Sequence, residues 1–418
     1  MDIFFEKSSS EPNKELYQSL LDESIRLSHK LDSLYKDFYK NYPKFKSINS
    51  AKVLLEIEDV QAQLDDDTQM ITYFLGEQSL FSFNIRKDTI SLLRADIADK
   101  LINITNDFKH HLSNRDNIDE LSYDLFMYLL GQQFDREKRN LIIVADNVLN
   151  YIPFEILRSS DGSMLIEKYN VSYNGSVRIF LELQKEFFKY DTPKDWVGFA
   201  PTYTGEEELA SSKSEIDQIA SLTNGEKFVG KEAKKENFML HKKEFSILHL
   251  AMHAEIDNEN PLYNRLLFED GELTASEIYT SYSQANLVVL SACNTGFGKI
   301  EKGEGVMSMA RAFHYSGIPS VMMSLWKVPD QETKTIMVDF YRYLKKGKSK
   351  SEALRRAKLD YLDKTSDTEL KHPYYWSGFV INGQINPIKI KNALNPVIWI
   401  VLSICGLMIM TFLIKRFR

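Results

Sequence analysis

Apolar positions along the chain change their period twice, and each change marks a different kind of element. From Asn13 to Tyr42, Leu16, Leu20, Leu27, Leu31, Leu34 and Phe38 fall near heptad positions in a charged background until Pro43 stops the pattern. One or two helices are expected there. The stripe is short of four clean heptads, so a helix packed on its own domain and a partner-binding coiled coil both fit it. From Met70 to Asp96 the period drops to two: Phe81, Phe83 and Ile85 alternate, then Ile90 and Leu92, with "GEQS" and "RKDT" as breaks. An antiparallel meander is expected. A helix over Asp119 to Leu130 and a short apolar strand over Leu141 to Val144 follow.

Past Trp196, continuous apolar runs alternate with helical patterns. "WVGFAP", "FSILHLAMHAEID", "NLVVLSAC" and "PSVMMSLW" read as strands, and "SSKSEIDQIASLT", "GVMSMARAFHYSG", "QETKTIMVDFYRYLKK" and "SEALRRAKLDYL" as helices. Val306, Met309, Ala310 and Phe313 share a face of the second helix, Asp330 is placed to cap the third, and Gly347 to end it. Unbroken apolar strands separated by helices predict an α/β fold whose mainly parallel sheet is covered on both faces.

Composition narrows the function classes. The 418 residues, 43% hydrophobic, are enough for two or three domains. The net charge of −7, with lysines and acids interspersed, gives no basic stripe, and nucleic acid is not an expected partner. Two cysteines, Cys293 and Cys405, exclude a disulfide framework and fit a reducing compartment. The start "MDIFFEKSSSEPNKELY" has no basic region leading into an apolar core, so no secretory signal is read there. Val397 to Ile414 is an uncharged run between Pro396 and "KRFR". As a helix it would extend roughly 27 Å, about the hydrocarbon thickness of a bilayer. A single-pass membrane anchor is expected. Lys389 and Lys391 precede the run and Lys415, Arg416 and Arg418 follow it, which leaves the positive-inside rule without a clean answer. The expectation is a tail anchor with the globular part in the cytoplasm.

In a parallel sheet, chemistry is sought beyond the carboxyl ends of the strands. His253 ends the run "SILHLAM" and Cys293 ends "LVVLSA". Two strands thus bring an imidazole and a thiol to one sheet edge. A free thiol with a pKa near 8.5 is only a few per cent thiolate at neutral pH, and a nearby imidazole lowers that pKa or takes the proton. Attack on a peptide carbonyl would create an oxyanion, for which the backbone N–H groups of Ala254 and Cys293 are the candidate donors; losing one such donor costs about 3 kcal/mol. The bland alternative is that Cys293 is a small buried hydrophobe. His249 and His253 form H-x-x-x-H, but on one strand they would stand about 13 Å apart, too far to share a metal. "GFGKIEKGEG" lacks the phosphate-loop spacing, and no G-x-S-x-G elbow is present. No metal or cofactor is expected.

The motifs "ILHLAMHAEID", "PLYNRLLFEDGELTASEI", "ANLVVLSACNTGFGKIEKGEGVMSMARAFHYSGIPSVMMSLWKVPDQET" and "HPYYWSGFVING" resemble the CHAT domain, a caspase- and separase-like cysteine peptidase family. "RNLIIVADNVLNYIPFEIL" and "LIEKYNVSYNGS" resemble that family's N-terminal half. The resemblance implies a dyad of His253 and Cys293, with Glu304, Ser324, Trp326 and Asp330 lining a substrate groove; helix capping is the plainer role for Glu304 and Asp330. With the periodicity and the C-terminal apolar run, it divides the chain. N-terminal helices would occupy 1–67, a pseudo-caspase-like α+β half without a dyad 68–195, and a catalytic caspase-like half 196–385. A linker (386–396), the transmembrane helix (397–414) and a basic tail (415–418) would follow. Many members carry glycine after the histidine, where this chain has Ala254. The expected function is a membrane-anchored cysteine endopeptidase that acts on a protein substrate under an activating protein partner. The competing reading is a catalytically silent membrane-tethered scaffold.

Overall fold

The period-two run after Asp67 folds as the meander it predicts. The computed structural model describes residues 55–131, 134–185, 190–203, 209–257, 260–291 and 308–390, with scattered helical positions between 22 and 36. Strands β1 (Thr68–Leu75), β2 (Leu80–Arg86) and β3 (Ile90–Ala95) pair antiparallel, in registers that include Phe74 with Phe81 and Phe83 with Leu92. β1 then pairs parallel with β4 (Asn140–Val144), and β4 with β5 (Asn170–Tyr173). Beyond residue 190 come β6 (Lys194–Ala200), β7 (Glu226–Val229), β8 (Phe245–Leu250), β9 (Ala254–Glu255), β10 (Arg265–Phe268), β11 (Gly271–Thr274), β12 (Leu287–Leu290), β13 (Ser320–Ser324) and β14 (Phe379–Gly383).

One eleven-stranded sheet, in the order β3-β2-β1-β4-β5-β14-β13-β12-β8-β6-β7, contains all of these except β9 to β11, which form a small sheet of their own. β14 runs parallel to β5 and antiparallel to β13, while β13, β12, β8, β6 and β7 are mutually parallel. The sheet therefore holds two parallel blocks pointing in opposite directions, and their carboxyl ends lie on opposite edges. The central strands are buried at every position (β8, β12, β13 and β14), as their unbroken apolar runs require. Helix Asp330–Lys345 packs between helices Ser212–Thr223 and Lys350–Lys364.

"FSILHLAMHAEID" is not one strand. It leaves the large sheet after Leu250, where the Ala251 N–H makes a last bond to Phe199 O, and resumes as β9 against β10. Asp330 does not cap its helix: Pro329 holds the N-cap position, and Asp330 is the first helical residue. Gly347, at φ 77°, does end that helix, because its N–H returns to Leu344 O in the left-handed conformation that favours glycine. Within the unit Met1–Val53, Ile25, Leu27 and Leu34 are exposed helical positions, and the rest of the leucine stripe lies outside the described residues. Among the described residues no helix is long and apolar enough to cross a membrane, and the run 397–414 lies outside them.

Candidate functional site

β8 and β12 are parallel neighbours with Leu250 opposite Leu290. His253 comes three residues after Leu250, and Cys293 three after Leu290. The two residues thus have equal sequence offsets past the ends of adjacent parallel strands. Cys293 and Glu304 lie in 292–307, outside the described residues.

His253 is half-buried, and its backbone is held by a tyrosine. The Leu267 N–H donates to His253 O (3.0 Å), the first bond of an antiparallel rung. The second bond is replaced: the His253 N–H donates to the Tyr203 hydroxyl (3.1 Å), which donates in turn to Leu267 O (2.6 Å). The Tyr203 ring lies 4.4 Å, centroid to centroid, from the imidazole, tilted by 57°. One side chain therefore fixes both the backbone and the ring plane of His253. The sequence reading missed Tyr203, although it comes three residues after Ala200, the end of β6. The same edge rule that selected His253 and Cys293 would have selected it.

Ala254 opens β9 and faces Leu266 of β10. The hydrogen-bonded rung belongs to His253 and Leu267, so the Ala254 N–H points out of the ladder, away from β10. Its φ is negative: among the described residues, non-glycine positive φ occurs at Arg115, Asn147 and Asn224. Alanine after the histidine thus costs no backbone strain. The following loop is tied down by Asn264, whose Oδ1 accepts from the Asp257 N–H (2.8 Å) and whose carbonyl accepts from the Ala275 N–H (2.7 Å).

The expected groove residues are largely committed to the protein itself. Ser324 ends β13 at the same sheet edge, opposite Phe379, and is 1% exposed. The Trp326 Nε1–H donates to Tyr374 O (2.8 Å), and its ring stacks on Tyr374 at 6.3 Å and 16°. Gly378 makes room for that indole; a Cβ there would come within 3.1 Å of it. The Asp330 carboxylate accepts the Ser211 N–H, joining the starts of two helices. His249 is no partner of His253 on a strand face, because β8 ends between them; His249 is wholly buried and bonded to Glu215, Tyr341 and Ser291.

Residues 118–384 match the CHAT domain. Tetratricopeptide repeat protein 28 of Homo sapiens is 25% identical over 306 residues, covering 59% of this chain and 12% of that protein. Its Mus musculus counterpart is 23% identical over the same shares. The chain thus spans 12% of the length of the curated relatives it matches. Two crystal structures of the Saccharomyces cerevisiae separase–securin complex share the fold. One, at TM-score 0.51 and 12% identity, covers 78% of this chain and 30% of that one. The other, at 0.52 and 11%, covers 91% and 33%. With 118–384 making up more than half of its length, the chain belongs to the CHAT domain family.

Proposed function

We propose that this chain is a cysteine endopeptidase in which Cys293 is the nucleophile and His253 the general base. The observation that carries the reading is the pairing of Leu250 with Leu290, which gives His253 and Cys293 equal offsets beyond neighbouring parallel strands. His253 takes the thiol proton and the thiolate attacks the scissile carbonyl carbon. The resulting oxyanion is held by the N–H groups of Ala254 and Cys293. Collapse breaks the C–N bond, and the imidazolium returns its proton to the leaving amine. Water then hydrolyses the thioester with His253 again as base, which restores the thiol.

The separase structures contain securin, a protein partner, and by analogy a protein partner governs access to this site. The apolar run 397–414 tethers the enzyme to a membrane. Deleting 397–418 moves the chain from the membrane pellet to the supernatant; a truncated chain that still pellets with vesicles removes the tether.

The dyad is tested on the full chain carrying Cys405→Ser, which leaves Cys293 as the sole thiol. Iodoacetamide labelling between pH 5 and 9 is expected to show a midpoint well below the free-thiol value of about 8.5, moving back toward it in His253→Ala. A wild-type midpoint at the free-thiol value that His253→Ala leaves alone would make the chain a binding scaffold of the same fold.

A further inference from the structure

Helix Lys350–Lys364 buries two lysines, and among the described residues only one of them has a counter-charge. Lys358 is 1% exposed, and its ammonium donates to the Glu155 carboxylate and to the carbonyls of Ser377 and Phe379. A buried structural cation is satisfied in this way. Lys350, the first residue of the helix, is 2% exposed. Among the described residues its Nζ makes one hydrogen bond, a long one of 3.3 Å to Gln384 O, and that oxygen already accepts from the Ser320 hydroxyl at 2.6 Å. Glu352, two residues on, is engaged by Lys348 (3.1 Å) and Arg356 (2.8 Å). Burial pushes the Lys350 pKa down to about 7.

The amine is not sealed in by packing. Lys350 and Gln384 line a cavity of about 590 Å³ at the amino ends of β8 and β12, the edge opposite His253. That volume lies in the range of small-ligand sites. Ser246 and Asn286 line it too, but their polar groups already serve the protein: the Asn286 amide donates to Ser246 Oγ (3.0 Å) and to Tyr190 O (3.0 Å). The other charges in the lining are Asp191 and Asp195, on the segment that runs into β6, and the exposed Lys389. β14, which Gln384 follows, and β6 stand four places apart in the sheet. The amine therefore enters the cavity from the β14 side and the two carboxylates from the β6 side.

We propose that this cavity binds a zwitterion, a free amino acid or a short peptide, whose carboxylate pairs with the Lys350 ammonium and whose amino group is held by Asp191 and Asp195. The ligand's carboxylate does for Lys350 what Glu155 does for Lys358. A purely anionic ligand meets two carboxylates of like sign, and a purely cationic one leaves Lys350 without a partner, so the lining selects a ligand that carries both charges. Above pH 7 the free amine is largely neutral and takes up a proton as the carboxylate arrives, which weakens binding about tenfold per pH unit. The site stands apart from the proposed dyad and does not depend on it.

The test follows the melting temperature of the full chain with each of the twenty standard amino acids, and with di-, tri- and tetra-alanine, at millimolar concentration. At least one probe is expected to raise it by about 2 °C or more at pH 6.5, and by less at pH 8.5. Whether the largest rise comes from a single amino acid or from the alanine series tells the two sources apart. Lys350→Met removes the buried amine, is expected to melt at or above the wild-type temperature, and should lose the rise. Asp191→Asn/Asp195→Asn should weaken binding of the same probe about tenfold. If no probe raises the melting temperature, or if the full rise persists in either variant, the proposal is overturned.

Discussion

At the carboxyl edge of β1, β4 and β5 the connecting loops begin Gly76-Glu77-Gln78, Ala145-Asp146-Asn147 and Asn174-Gly175-Ser176. Two of their polar side chains serve the backbone. Asp146 Oδ2 accepts from the Leu75 N–H (2.8 Å), and Ser176 Oγ caps the following helix by accepting from the Ile179 N–H (3.1 Å). Together they line a cleft of about 710 Å³ whose described lining residues include no imidazole or thiol. At the opposite edge, β6, β8 and β12 lead at equal offsets to Tyr203, His253 and Cys293. Both edges are carboxyl ends of parallel strands, and the residue types that follow them differ. A cleft beyond parallel strands is an opportunity supplied by the fold, and on the proposed dyad the residues three past the strand ends decide whether it is used.

The comparison presumes that the two blocks form one framework. Beside the β5–β14 pairing that carries the sheet from one block to the other lies a buried ion pair. The Lys358 Nζ donates to Glu155 Oε1 (2.5 Å) and to Phe379 O (2.6 Å), and the Tyr173 hydroxyl donates to Glu155 Oε2 (2.7 Å). Burial pushes the Lys358 ammonium down from its usual pKa while the Glu155 carboxylate opposes the shift, and burial drives Tyr173 well up. Lys358→Met strands the carboxylate and is expected to cost about 3 to 5 kcal/mol in urea unfolding at pH 7. The double variant Lys358→Met/Glu155→Leu should recover most of that. If the single variant unfolds at the wild-type midpoint, the ion pair adds nothing to the strand pairing and packing around it.

Much of this was readable from periodicity, and the failures have physical causes. The meander, the helix Asp119–Leu129 and the buried runs of β8, β12 and β13 follow from where apolar side chains recur. The break after Leu250 was illegible because Ala251 and Met252 are as apolar as the strand before them; only the partner strand changes, from β6 to β10. The role of Asp330 was misread because a carboxylate beside a helix start is equally fit to cap its own helix or to accept from a neighbouring backbone, and the neighbour, Ser211, is distant in sequence. His253 was singled out because it ends an apolar run. Tyr203 was passed over because a tyrosine carries no catalytic signature of its own. His249 was weighed only as a metal ligand, since its partners Glu215, Ser291 and Tyr341 come from three separate elements.

The smallest effect separates the two edges most sharply. Tyr203→Phe keeps the ring against His253 and removes the hydroxyl that bridges the His253 N–H to Leu267 O. Ser176→Ala, at the other edge, removes the hydroxyl that caps a helix. Each change is expected to cost about 1 kcal/mol of stability, the first from lost hydrogen bonds and the second from a lost N-cap. Stability alone would therefore not tell the edges apart. On the proposed dyad, turnover of a cleavable peptide would: loosening His253 should lower kcat about tenfold in Tyr203→Phe with KM unchanged, because the proposed base is misaligned while the binding surface is intact. Ser176→Ala should leave both constants at their wild-type values. Equal kcat in the two variants would reduce Tyr203 to a loop staple with the same standing as Ser176, and the base would then owe its orientation to the β9–β10 pairing alone.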